Sequence, residues 1–437
     1  MNYREVLAYI HHTQKFGSKL GLGNITALLD SMGNPHRDLK VIHVAGTNGK
    51  GSTCSFIASV LKEQGYKVGL YTSPYLEEFT ERIRINGQNI PEGKLAEIGS
   101  FVKSKAEEMV ARGLEHPTEF EVVTAMAFEY FKREKVDFVV LEVGLGGRAD
   151  ATNVIEKPLL SVITPIAMDH MDRLGNTLRE IAYEKAGIIK PNGFVISSPQ
   201  MPEAMEVIQE VCKKQNAKLI QASLNHVRII EQNERFQRFD VKYGNNSLKD
   251  VKIHLLGEHQ VQNAVLAMAA LYQLNQEYHI AIDMDALYRG LAKTVWPGRV
   301  EIIHQHPTVL IDGAHNLHGM KALEKVIQQL FPDRKLILGI GVLEDKDVEG
   351  LLRVIVPLAE KLVLTEPDSP RALNVQKLAS LVEKYKKPYV AREKIPEAVQ
   401  AALSLAEPDS VIVFAGSLYM IGEVRKQFQK KIQDQSI

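Results

Sequence analysis

Apolar residues fall along the chain in two alternating patterns. Short continuous runs of β-branched and aliphatic residues occupy 40–45, 67–72, 136–142, 159–164 and 194–198. Between them lie stretches with helical spacing: Phe56, Ile57, Val60 and Leu61 ahead of Gly65, then 119–134 and a shorter one over 176–188. A strand that is apolar at every position is buried on both faces. Strand–helix alternation of this kind predicts parallel pairing under covering helices. Over 226–256 the pattern changes to short β-like runs with an Asn-rich turn at Gly244-Asn245-Asn246, which reads as a small β excursion. Helical patterns at 258–275 and 283–293 lead to the breaker Trp296-Pro297-Gly298-Arg299. The alternation then restarts with runs at 308–311, 335–338, 361–364 and 411–414. The expected fold is α/β throughout: a domain over 1–297 with a mostly parallel, helix-flanked sheet, and a smaller Rossmann-like α/β domain over 298–437.

Composition narrows this picture only slightly. Lys plus Arg and Asp plus Glu each number 53, so no net field draws the chain to nucleic acid or an acidic membrane. Two cysteines, Cys54 and Cys212, cannot form a disulfide framework and neither sits in a metal-ligand pair, as expected of a reducing compartment. No signal-peptide core opens the chain, and no apolar run approaches the ~20 residues of a membrane helix. A cytoplasmic, monomeric protein acting on small molecules, without a nucleic-acid or membrane partner, is the expectation.

The first strand ends in Ala45-Gly46-Thr47-Asn48-Gly49-Lys50-Gly51-Ser52. Glycines let backbone N–H groups converge on an anion, the helix that follows adds its positive end, and Lys50 supplies a point charge for the β- and γ-phosphates. The match to a P-loop is imperfect. Val44 stands where the first glycine belongs, and Gly51 replaces the hydroxyl that normally binds Mg²⁺, with Ser52 one step later. A glycine-rich turn with a solvated lysine is the alternative, disfavoured by strand, loop and helix standing in the right order.

A second glycine cluster, Gly144-Leu145-Gly146-Gly147-Arg148-Ala149, satisfies a loose dinucleotide fingerprint. That fingerprint needs a helix directly afterwards, and Pro158 arrives before one could complete, so a dehydrogenase is disfavoured. Glu142, at the carboxyl end of a buried strand, suits a metal ion facing phosphates, or is a solvated strand-end carboxylate. Asp169-His170-Met171-Asp172 is either a metal site or a hydrogen-bonded loop. The pairs His304/His306 and His315/His318 lack the further ligands a metal site needs. In the second half, Asp312 and His315, Asp345-Lys346-Asp347, and Gly416-Ser417 each follow a strand, where α/β sheets collect ligands; Asn316 and Ser417 could equally be helix caps.

These segments together resemble the folylpolyglutamate synthase and dihydrofolate synthase family, within the muramyl-peptide-ligase superfamily. The resemblance is carried by 43–52, by Tyr71-Thr72-Ser73-Pro74-Tyr75-Leu76 with Glu81-Arg82-Ile83, and by 141–153. It continues through Met168-Asp169-His170, 184–189, 296–299, 312–316 and Gly416-Ser417-Leu418-Tyr419, in the family's order. It implies a P-loop-type ATP site and an ATP-dependent amide ligase of folate biosynthesis and one-carbon metabolism. ATP phosphorylates a folate carboxylate and L-glutamate then attacks the acyl phosphate. Carried over residue by residue, Gly46, Thr47, Asn48, Gly49, Lys50, Gly51 and Ser52 hold the ATP phosphates, and Asn263, Arg299 and Asp312 contact the nucleotide. Ser73, Glu142 and His170 bind Mg²⁺. Lys185, carbamylated in relatives, would help hold a second ion. Lys50, Lys185 and His315 are the catalytic candidates, with domain closure completing the site. Leu20, Gly21, Phe120, Arg148 and Asp150 line a pterin pocket, and Lys346 and Ser417 serve glutamate. A pterin pocket favours a bifunctional enzyme acting on dihydropteroate and tetrahydrofolate. The alternatives are a monofunctional folylpolyglutamate synthase, a UDP-sugar ligase of the superfamily (for which about 40 residues before the loop leave no room), or a regulatory NTPase.

Overall fold

In the computed structural model, which describes residues 1–17 and 21–434, an eight-stranded sheet forms around the first strand. Its strands are β1 (Val41–Ala45), β2 (Val68–Tyr71), β3 (Ile83–Ile85), β4 (Gln88–Asn89), β5 (Phe138–Glu142), β6 (Leu160–Ile163), β7 (Phe194–Ser197) and β8 (Lys218–Gln221). The order is β4-β3-β2-β5-β1-β6-β7-β8. From β2 to β8 every neighbour is parallel, while β3 and β4 add an antiparallel edge. The central strands are buried at every position, which is why their sequences are apolar apart from His43, Glu142 and Ser161.

Register decides what the sheet presents. Val44 pairs with Glu142, Tyr71 with Leu141, and Ala45 with Ile163, so β1, β2, β5 and β6 end side by side. The segments 46–49, 72–78, 143–153 and 164–170 therefore leave one edge of the sheet. The chain passes from β5 on one side of β1 to β6 on the other, the kind of switch point where open α/β sheets bind ligands.

Helices cover both faces. Helix Glu119–Arg133 starts on a capping box, with Thr118 Oγ1 accepting from the Glu121 amide and the Glu121 carboxylate accepting from the Thr118 amide. It buries Phe128 and Phe131. Helix Lys50–Glu63 is buried on nearly all sides at its N-terminal end. Its Val60 lies against Gly290 of helix Met284–Lys293, and Ser59 donates to the Gly290 carbonyl at 2.7 Å.

Strands β9 (Arg228–Gln232), β10 (Gln237–Tyr243) and β11 (Asn246–Ile253) form a separate three-stranded sheet, the expected β excursion. A six-stranded sheet follows, of β12 (Glu301–Gln305), β13 (Thr308–Asp312), β14 (Lys335–Ile340), β15 (Lys361–Leu364), β16 (Tyr389–Ala391) and β17 (Ser410–Ala415). Its order is β12-β13-β17-β14-β15-β16, parallel except for β12. Two units divide the chain. One comprises Met1–Arg228, Asp240–Val251 and Gln262–Thr294; the other comprises Ile229–Phe239, Lys252–Val261 and Val295–Ile437. Among the described residues no helix is long and apolar enough to cross a membrane.

Candidate active site

The loop 46–49 turns sharply out of β1 and into helix Lys50–Glu63. Gly46 and Gly49 have φ of 147° and 85°, which side chains resist. A Cβ at Gly46 would also strike the Thr164 side chain, and one at Gly49 would strike the Asn263 amide, so Asn263 lies directly against the loop. The helix begins at Lys50. The amides of Gly49, Lys50, Gly51 and Ser52 thus sit at its N-terminus, where the helix offers no partner and the dipole is positive.

Thr47 and Asn48 play a different part. Their amides both donate to the Pro165 carbonyl, at 3.0 and 3.3 Å. Thr47 Oγ1 exchanges hydrogen bonds with Ala167, accepting from its amide and donating to its carbonyl, both at 3.0 Å. These two residues tie the loop to the segment after β6, and their backbone donors are spent there. That segment is braced in turn by Gln200, whose Oε1 accepts from the Ile166 amide and whose Nε2 donates to the Thr164 carbonyl.

Two lysines bond to successive loop carbonyls. Lys50 Nζ donates to Thr47 at 3.1 Å and Lys185 Nζ to Gly46 at 2.8 Å. Lys185 is 5% exposed. Burial, and then the charge of Lys50, lower its pKa to about 7; Asp169 and Asp150 act the other way. Glu142 is also 5% exposed, and its Oε2 accepts from the Ser73 amide at 3.2 Å. The Ser73 loop is shaped by Glu81, whose two oxygens accept from the amides of Leu76, Glu77 and Glu78 at 2.9–3.1 Å. Behind it Arg82 lies 5.4 Å from the ring centroids of both Tyr75 and Phe79.

His170 sits in the left-handed region, φ 49°, unusual for a side-chain-bearing residue and a common mark of functional sites. Its amide donates to Asp169 Oδ1 at 2.9 Å, and its ring, Nε2 3.9 Å from the same oxygen, remains substantially exposed. Ser73, Glu142, Asp169, His170 and Lys185 therefore occupy the segments around the loop 46–49. Among the described residues no group of three His, Cys, Asp or Glu forms a ready-made metal cage. A buried carboxylate beside a loop hydroxyl is still the donor set of Mg²⁺, which takes one or two protein oxygens and completes its shell with phosphates and water.

After β5, the loop over 144–152 closes on Asp150. Asp150 Oδ2 accepts from Leu145 at 2.8 Å; Oδ1 accepts from the Thr152 amide at 3.0 Å and from Thr152 Oγ1 at 2.6 Å. Burial raises its pKa and these donors counter the rise. With both oxygens engaged by its own loop, Asp150 shapes that loop more than it offers itself to a ligand. The Phe120 ring packs on Gly144, 6.1 Å from the Tyr71 ring. Arg148 stacks on Tyr183, 3.9 Å from its ring centroid, and donates to the Tyr183 carbonyl at 3.1 Å. Gly21 has φ 129°; Leu20 lies outside the described residues.

The second unit carries its own polar edge. Asp312 pairs with Ala415 and Ile340 with Ala415, so the segments after β13, β14 and β17 leave together. Asp312 is buried and accepts from the amides of Val300 and Ala314, each at 2.8 Å; burial raises its pKa, and Arg299 opposes that rise. Arg299 packs against Gly313 and donates to the Gly298 carbonyl at 3.0 Å. His315 Nδ1 lies 2.8 Å from the Gly313 carbonyl, which can only accept, so this nitrogen carries the proton. Asn316 and Ser417 do act as caps, accepting from Gly319 at 2.9 Å and Tyr419 at 3.2 Å. Lys346 lies nearly buried, 4.0 Å from Asp345.

Residue type alone gave no role to Pro165, Gln200, Glu81 or His43. His43 was the one with a visible signal, a titratable residue inside an otherwise apolar strand. It is wholly buried, and burial followed by the charge of Lys190 lowers its pKa to about 3.

Known proteins resemble this chain over nearly its whole length. Residues 44–271 match the Mur ligase middle domain, and residues 298–418 match the Mur ligase glutamate ligase domain. A dihydrofolate synthase/folylpolyglutamate synthase of Bacillus subtilis is 38% identical over 98% of this chain and 99% of its own length. The structure of Mycobacterium tuberculosis folylpolyglutamate synthase complexed with ADP and AMPPCP superposes with a TM-score of 0.89, at 34% identity over 98% of this chain and 99% of that one. An Escherichia coli relative in complex with DHPP and ADP gives 0.86, at 29% identity over 98% of both chains. Fold and site thus define an ATP-dependent ligase of the Mur type. Within that class, the chain belongs to the dihydrofolate synthase/folylpolyglutamate synthase family.

Proposed function

We propose that the protein joins L-glutamate to folates at the expense of ATP, acting on tetrahydrofolate and also on dihydropteroate. The observation that carries this reading is the paired arrangement at the edge of the first sheet. Two lysines on successive phosphate-loop carbonyls lie among the segments that bring in the buried carboxylate Glu142. Such a site sets the charge of Lys50 where a phosphoryl group transfers and keeps Glu142, with a carbamate on Lys185, for divalent cations.

An oxygen of the substrate carboxylate attacks the γ-phosphorus of ATP, the bond to the β-phosphate oxygen breaks, and ADP leaves. The amine of glutamate then attacks the acyl-phosphate carbonyl carbon, loses a proton, and expels phosphate as the amide forms. Lys50 and the amides at the start of helix Lys50–Glu63 hold the phosphates, while Asn263 fixes the loop and with Arg299 and Asp312 contacts the nucleotide. Ser73, Glu142, His170 and a carbamylated Lys185 would hold Mg²⁺, which supplies charge neutralisation at the phosphates. Phe120 stacks the pterin ring, with Gly21 and Arg148 at the rim. Lys346 and Ser417 help hold glutamate, and His315 is the catalytic candidate of the second unit. The names borne by the Bacillus relative support both activities. We further read the protein as cytoplasmic and monomeric.

The test supplies purified protein with ATP, Mg²⁺ and L-glutamate, and dihydropteroate or tetrahydrofolate in separate reactions followed by mass. A gain of one glutamyl residue on each acceptor is expected. Turnover of tetrahydrofolate alone would remove the dihydrofolate synthase activity, and no ligation with either would overturn the reading.

A further inference from the structure

Between the strand that feeds the phosphate loop and the loop that closes the folate pocket runs a buried chain of three side chains. His43 Nε2 lies 2.8 Å from Thr152 Oγ1, and Thr152 Oγ1 lies 2.6 Å from Asp150 Oδ1. All three residues are at most 6% exposed, and His43 and Thr152 are 109 positions apart in sequence.

The direction of these bonds is fixed by the one partner that cannot reverse. The Thr152 amide only donates, and it donates to Asp150 Oδ1; the Leu145 amide does the same to Oδ2. Asp150 is therefore the acceptor, and the Thr152 hydroxyl gives it its single proton. The hydroxyl oxygen must then accept from His43, which requires the imidazole proton on Nε2. The other nitrogen, Nδ1, is buried and finds no partner among the described residues, as a lone pair can tolerate more readily than an N–H. Thr152 is thus held from both sides, and through it Asp150 is held where it gathers the Leu145 amide and closes the turn. His43 stands three residues before Gly46 and pairs in the sheet with Leu141, the residue before Glu142.

We propose that His43 and Thr152 are positioning residues for the acceptor substrate: neutral His43, protonated on Nε2, locks Thr152, which locks Asp150 and sets the pocket wall over 144–152. The relay takes its rigidity from the phosphate-loop strand and applies it to the neighbouring pocket, touching neither substrate. This rests on the reading of that loop as the wall of the folate site.

Thr152→Val keeps the shape and removes the hydroxyl, and Thr152→Ser restores it. The KM for dihydropteroate or tetrahydrofolate should rise about tenfold in Thr152→Val, with the KM for ATP within about twofold of wild type; tenfold corresponds to ~1.4 kcal/mol, about one buried hydrogen bond. Thr152→Ser should recover most of the acceptor KM. An unchanged acceptor KM in Thr152→Val would overturn the proposal, as would an equal rise in both KM values, which marks general loosening. Where Thr152→Val does not fold, the ¹⁵N–¹H spectrum of wild-type histidines decides: His43 should carry its proton on Nε2, and a proton on Nδ1 would break the chain at its first link. If wild-type protein uses neither acceptor, the pocket reading itself fails. A variant that keeps wild-type acceptor kinetics removes the relay alone.

Discussion

Lys185 offers the sharpest quantitative prediction. Its amine is buried, bonded to the Gly46 carbonyl, and exposed to the charge of Lys50, which together bring its pKa to about 7. At pH 8 roughly 90% of such a group is neutral, against well under 1% of an ordinary lysine with a pKa of about 10.4. Only the neutral amine reacts with carbon dioxide, forming the C–N bond of a carbamate and releasing one proton. The reactive fraction at that pH is therefore a few hundredfold larger than on a surface lysine. The charge of Lys50 that depresses the pKa also favours the anionic product, whereas Asp169 and Asp150 oppose it. With ¹³C-bicarbonate, a carbamate carbon signal should grow from about pH 6 to 8 with a midpoint near 7 and be missing in Lys185→Met. No Lys185-dependent signal, or one that begins only above about pH 9, would refute the reasoning.

The same shift makes a stability prediction. Between about pH 7 and 10.5 the unfolded chain holds a proton on Lys185 that the folded chain has released, so unfolding free energy should rise with pH across that window, by up to ~1.4 kcal/mol per unit. Lys185→Met should flatten the slope in urea titrations, and an identical slope would contradict the assignment. Gly49→Ala puts a side chain at φ 85° and against Asn263; a loss of about 1 kcal/mol or more, and an ATP KM at least several-fold higher, should follow, while unchanged nucleotide kinetics would sink the role given to the turn. Glu142→Gln keeps the bond from the Ser73 amide but removes the charge, so half-saturation by Mg²⁺ should move up about tenfold or more, and an unaltered Mg²⁺ titration would count against Glu142 as a ligand.

What could be read in the sequence follows from how locally each feature is determined. Continuously apolar strands announced the parallel core of both sheets, because burial on two faces leaves no polar position. The edge strands β4, β8, β12 and β16, and β3 next to the edge, were not legible: they are short or mixed in polarity, and only pairing with a neighbour defines them. Glycine spacing singled out the loop 46–52 and strand ends singled out Glu142 and Asp312, whereas His170 entered as an expected ligand only through the family resemblance. The division of labour inside the loop was hidden, since Thr47 and Asn48 meet the Pro165 carbonyl from more than a hundred residues away. His43, Thr152 and Asp150 show the same limit. Each is an ordinary residue where it stands, and only the fold brings the imidazole to the hydroxyl and the hydroxyl to the carboxylate. Likewise nothing in the letters around Lys185 reveals that it is buried beside a second lysine.

In the proposed reaction ATP activates the acceptor's carboxylate before glutamate attacks. An acceptor labelled with ¹⁸O in that carboxylate tests it directly, with the released phosphate examined by mass. One ¹⁸O atom should pass to phosphate for each amide formed, since the carboxylate oxygen that attacks phosphorus leaves with it. Phosphate free of label alongside a glutamylated product would contradict it.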